Sequence, residues 1–173
     1  MTRRAKEISS VLTIAFVFAV LLGTPASVSG QAFSEQVSQK VTEDLNLTRE
    51  IIQVKRRAIV ALNMALTDSE SKEFWPVYDE YWAEMKKIDD RNVALISDFA
   101  KYYVYESLTN QKAEEMLKEW LSTKNDELKL KRKYAKKFKK VLPEKKVLRY
   151  FQIENKLDLI IDTELSAQIP LAR

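Results

Sequence analysis

After Gly30 the chain contains no glycine. Left-handed backbone must then be taken up by residues that carry a Cβ, so tight hairpins, bulges and phosphate-cradling loops become costly. Only Pro76, Pro143 and Pro170 punctuate the same stretch. A sheet needs frequent turns, and this chain has few residues suited to making them. The expectation is an all-α fold of long helices joined by short connections. Histidine and cysteine are absent too. Their absence removes imidazole acid–base work, thiolate nucleophiles, disulfides and most zinc chemistry. The sequence therefore reads as a non-enzymatic protein with no catalytic residue, cofactor or metal.

The N-terminus reads as a secretory signal peptide over residues 1–30. Arg3, Arg4 and Lys6 form a positive start, Val11 to Leu22 is uncharged and mostly apolar, and small residues follow. The apolar stretch is short for a membrane span, which needs about 20 residues. Cleavage falls after Gly30 or after Ala32, and an uncleaved inner-membrane anchor is the alternative. The expected destination is the periplasm. Residues 31–41 are polar and read as a flexible segment, and residues 42–173 as a single α-helical domain.

Apolar residues then recur at helical spacing. Leu47, Ile51, Val54, Ala58 and Leu62 predict the buried face of a first helix starting near Thr42, and Leu45, Ile52 and Ile59, seven apart, widen it. Phe74, Tyr78, Tyr81, Met85, Ile88, Ile96, Phe99 and Tyr103 predict a second helix of about 35 residues, roughly 50 Å long. Pro76 falls inside it, where a missing N–H and a clash with the Lys72 carbonyl predict a kink. A third helix carries Leu117, Trp120, Leu121, Leu128, Tyr134, Phe138 and Leu142, and a fourth follows Pro143. The predicted architecture is an elongated antiparallel helical hairpin of about four helices.

Two helix starts share one pattern. Leu66-Thr67-Asp68-Ser69-Glu70 can close a capping box between Thr67 and Glu70, and Leu108-Thr109-Asn110-Gln111-Lys112 offers Thr109 as cap. These starts resemble the paired Leu-Thr-x-x-Gln motifs of the Spy/CpxP family of periplasmic proteins, over roughly residues 66–142. The resemblance implies a curved helical hairpin that dimerises as a cradle. It also implies an ATP-independent chaperone of non-native clients, or an inhibitory partner of an envelope-stress sensor. Glu70 and Lys112 stand where the family has glutamine, and the histidines of its zinc-associated branch are missing.

Two surfaces are candidates for binding. Trp75, Tyr78 and Trp82 offer a protein-binding aromatic cluster, against the reading that they are core. Residues 129–149 hold eleven Lys and Arg against one acid, Glu144. Lys129, Lys131, Arg132, Lys133, Lys136, Lys137, Lys139, Lys140, Lys145, Lys146 and Arg149 could bind an anionic membrane or envelope surface. Alternatively they pair with acids of the same fold, because residues 31–128 carry a net −6. Nucleic acid is a poor partner for an exported chain. Asp79-Glu80, Asp89-Asp90 and Glu114-Glu115 point about 100° apart on a helix and so read as surface ion-pair partners of lysines such as Lys86, Lys87 and Lys118. Three functions remain: a protein-binding chaperone or stress adaptor, a peripheral binder of anionic surfaces, and a self-associating structural spacer.

Overall fold

The structure is a computed structural model that describes residues 30–167 and 169–172. The export segment read over residues 1–30 lies outside them, apart from Gly30. Four helices make up the fold: α1 (Gly30–Met64), α2 (Asp68–Val104), α3 (Asn110–Phe138) and α4 (Glu144–Ser166). No strand occurs among the described residues. At 37 residues, α2 is the longest, about 55 Å at the helical rise. No helix among the described residues is long and apolar enough to cross a membrane.

The helix starts follow their caps. Thr67 Oγ1 accepts from the Glu70 amide at 3.2 Å, and the Thr67 amide donates to Glu70 Oε2 at 2.8 Å. Thr109 Oγ1 accepts from the Lys112 amide at 3.2 Å. The fifth residue of each Leu-Thr start also reaches across to another helix. Lys146 Nζ lies 2.5 Å from Glu70 Oε2, and Lys112 Nζ lies 2.9 Å from Asp98 Oδ2. Each cap thus fixes a loop to a neighbour as well as starting a helix. The connections include Ala65 and Glu106 at φ near +48° (47° and 49°). With no glycine after Gly30, Cβ-bearing residues take these left-handed positions, at about 1 kcal/mol each.

Helix α2 runs unbroken through Pro76, so that proline neither ends it nor splits off a short turn. Both Pro76 and Lys72 are exposed, and water can reach the Lys72 carbonyl that lacks its N–H partner. Helix α2 lies between α1 and α3, and α4 leans on α1 more than on α3, its neighbour in sequence.

Two apolar clusters hold the helices. The larger joins Val60 and Met64 of α1, Phe74, Tyr78, Tyr81, Met85 and Ile88 of α2, Leu130, Tyr134 and Phe138 of α3, and Val147 and Tyr150 of α4. Its rings pack edge-on or tilted, as their quadrupoles favour. Phe138 lies 4.7 Å from Tyr150 and 5.3 Å from Phe74 between ring centroids. The smaller cluster, at the other end, joins Val37, Val41, Leu45 and Ala100, with Val93, Ile96, Val104 and Leu165 against it.

Helix α1 differs from expectation in two respects. It begins at Gly30, twelve residues before Thr42, and the segment read as flexible is helical. Val37 and Val41 extend its buried stripe onto Ala100. It also turns the centre of the predicted stripe outward, keeping Leu45 buried at its edge. Leu47, Val54 and Leu62 are 61%, 74% and 82% exposed, while Leu45, Arg56, Val60 and Met64 are buried. Two apolar stripes compete on this helix, and the one that wins contains Arg56, whose charge hides it from a hydrophobic pattern. The exposure of Leu117, Trp120, Leu121 and Leu128 is a third difference. The first half of α3 carries an apolar row with nothing over it among the described residues.

Candidate binding surfaces and an interior cleft

The aromatic cluster of α2 turns inward. Tyr78 is core, and Trp75 and Trp82 are half-buried against it. The Arg57 guanidinium stacks 4.4 Å over Trp75, and that of Arg56 lies 4.6 Å over Trp82. Trp75 Nε1 donates to Ser71 Oγ at 3.0 Å. Tyr78 thus follows the core reading, since 74, 78, 81 and 85 repeat at core spacing, while Trp75 and Trp82 keep part of their surface open beneath the arginines that cap their indoles.

The basic run is largely answered from within the fold. Lys133 meets Glu84 at 2.7 Å, Lys137 meets Glu80 at 2.7 Å, and Lys139 meets Glu144 at 3.0 Å. Lys129 pairs with Asp126, Lys131 with both Glu127 and Asp158, and Lys146 with Glu70. Arg149 Nε donates to the Asn63 carbonyl at 2.6 Å. Lys133 and the Tyr134 hydroxyl together hold the Glu84 carboxyl below its usual range. Arg132, Lys136, Lys140 and Lys145 remain exposed with no ion pair among the described residues. Arg132 and Lys136 lie four residues apart on α3, and Lys140 follows four residues on, in the turn just past its end.

The adjacent carboxylates diverge as helix geometry requires. Asp79 pairs with Arg57 and Glu80 with Lys137, and Glu114 pairs with Lys118. Asp90 takes Arg49 at 2.6 Å and Lys86 at 3.4 Å. No cluster of three metal-ligating side chains occurs among the described residues. Asp89 behaves differently from the others, because it faces inward.

Between the two apolar clusters lies a cleft of about 190 Å³, bordered by all four helices. Apolar side chains such as Ile52, Met85 and Ile161 line it beside charged ones. Arg56, at 5% exposure, anchors the charge: its Nη1 lies 2.5 Å from Glu154 Oε2 and 2.9 Å from Asp158 Oδ1. Burial works to lower the Arg56 pKa, yet the two acids hold it above the ordinary value. Burial pushes the Glu154 carboxyl up to about 7 against the pull of Arg56, and Asp158 adds repulsion. Lys131 bridges Asp158 and Glu127 at the α3 side. Several buried atoms around the cleft have no hydrogen bond: Gln53 Oε1, Arg56 Nε, Trp82 Nε1 and Glu154 Oε1. Sequence reading missed this constellation, since Arg56 and Glu154 lie 98 residues apart.

No protein-family model, curated protein or solved structure matches the chain.

Proposed function

We propose that this chain is an exported periplasmic protein that binds other polypeptides through uncovered apolar helix faces, as a Spy/CpxP-like ATP-independent chaperone or envelope-stress adaptor. The observation that carries this reading is the row Leu117, Trp120, Leu121 and Leu128 on α3, four large apolar side chains exposed together. Contiguous exposed apolar surface of this kind marks contact sites on monomeric proteins. The outer face of α1, with Leu47, Val54 and Leu62, adds a second such row. Non-native chains expose apolar side chains without fixed geometry, which suits a long row better than a pocket. A homodimer with the two copies forming a cradle would enlarge that surface. The missing imidazole and thiol groups leave recognition, not chemistry, as its work.

The test is aggregation of a reduced, unfolding client with and without the mature chain, without nucleotide. Protection at near-stoichiometric amounts that persists at moderate salt is the expected result. The double variant Trp120→Ser, Leu121→Ser should lose most of it while its melting temperature stays within a few degrees, because both side chains are exposed. Absence of protection at equimolar amounts overturns the chaperone reading.

A second reading rests on Arg132, Lys136, Lys140 and Lys145, the cations of the basic run with no ion pair among the described residues. On it, the protein is a peripheral binder of anionic membrane or envelope surfaces. Sedimentation with vesicles rich in anionic lipid, weakened by salt, is its expected sign. Replacing Lys136, Lys137, Lys139 and Lys140 by glutamine should release the protein from the pellet. Neither protection nor sedimentation would leave the self-associating spacer.

A further inference from the structure

The interior cleft carries more negative charge than its own cations neutralise. On the α2 wall, the partly buried Asp89 carboxylate has neither a hydrogen bond nor an ion pair among the described residues. Its neighbour Asp90 has both. Burial pushes the Asp89 carboxyl up to about 6, while Arg49 and Arg56 pull it down and Glu127 and Asp158 push it further up.

The charged groups facing Asp89 are spoken for. On α1, Arg49 is held by Asp90 and Asn46, and Arg56 by Glu154 and Asp158. On α3, Glu127 takes Lys131 and Lys124. On α4, Asp162 is exposed at the cleft and has no partner among the described residues. Two carboxylates, Asp89 and Asp162, are thus left over with no free cation to meet them. Gln53 Oε1, a buried acceptor on the α1 wall, is also unanswered. Ile52, Met85 and Ile161 add hydrocarbon to the walls beside them, and the cleft is roomy enough for several waters.

We propose that this cleft is a binding site for a small organic cation, a primary ammonium on a short apolar body, with the ammonium at Asp89 and Gln53 and the hydrocarbon against Ile52, Met85 and Ile161. An ammonium supplies three donors to acceptors that lack them. It also supplies the charge that a desolvated carboxylate needs. A bare divalent ion would find no three converging ligands among the described residues. An anion would meet Asp89 and Asp162.

The test is titration of the mature chain with hexylammonium and with phenethylammonium, read by calorimetry and by amide chemical shifts, with hexanoate as the control. Saturable one-to-one binding of the amines, with shifts gathered around Asp89 and Ile161 and none with hexanoate, is expected. Asp89→Asn should weaken binding at least tenfold. It should leave the melting temperature equal or higher, since it removes a buried unpaired charge. Ile161→Phe, which fills the hydrocarbon side and keeps Asp89, should weaken binding as well. Wild-type affinity should fall as pH drops through about 6, where Asp89 takes up a proton and the amine stays charged. No saturable binding, equal binding of hexanoate, or undiminished binding by Asp89→Asn would each overturn the proposal.

Discussion

Replacing Arg56 by leucine should destabilise the fold by about 3–5 kcal/mol at pH 7.5, the cost of leaving a buried carboxylate without its partner. Glu154 is 1% exposed, and its Oε2 depends on Arg56 Nη1. In a chain of this size the loss corresponds to a fall in melting temperature of roughly 10 °C. It should shrink as pH falls, because Glu154 already sits at about 7 and rises further without Arg56. Protonation then removes the uncompensated charge. A carboxyl whose folded pKa exceeds its unfolded value contributes stability that is complete below the unfolded pKa and is lost as pH rises through the folded one. Glu154 and Asp89 both act this way, so their contribution declines between about pH 4 and pH 7. Urea unfolding of both proteins at pH 7.5 and 5.5 reads the two effects. A pH-independent deficit, or one below 1 kcal/mol, would contradict the role given to the pair. The double variant Arg56→Leu, Glu154→Leu should recover most of the loss, since apolar replacements of buried ion pairs are often neutral or better.

Truncating Phe138 to alanine should cost about 3–5 kcal/mol. The ring is fully buried. It packs near Phe74 and Tyr81 of α2 and Tyr150 and Phe151 of α4. Its loss opens a cavity where three helices meet, and close-packed neighbours relax only in part. Leu128→Ala on the same helix is the matched control. Leu128 is exposed, and its truncation should change stability by less than about 1 kcal/mol. Denaturant midpoints with unchanged slopes would separate the two. Comparable losses at Phe138 and Leu128 would mean that α3 presents a different face to the bundle.

These two residues show how far the sequence could be read. Phe138 follows Tyr134 and precedes Leu142 at four-residue intervals, so helical spacing among apolar neighbours places it in the core. The Thr67 and Thr109 caps are equally plain, because a cap is local and its partners lie three residues away. Arg56 is the opposite case. It occupies the centre of the buried face of α1, and a pattern of apolar residues steps around it to Leu47, Val54 and Leu62. Only the acids on α4 make that burial tolerable, and nothing within α1 announces them. Asp89 is hidden for the same reason. Beside Asp90 it looks like one of several surface pairs, and only the positions of α1, α3 and α4 turn it inward. The basic run was legible as charge, and pairing within the fold was one of its readings, but the partners were not, since Glu80 and Glu84, which meet Lys137 and Lys133, lie some 50 residues away.

The unequal sizes of the two apolar clusters give the molecule a graded resistance to opening along its length. The aromatic end ties four helices together, so its amides should exchange with solvent only when the whole chain unfolds. At the other end, smaller aliphatic side chains hold α1 to α2, with Leu165 of α4 against them, and less area has to be wetted to part them. Fraying there can proceed while the aromatic end stays intact, with the interior cleft at the boundary. A helical protein built in this way has one end that keeps the fold and another that can yield to what it meets.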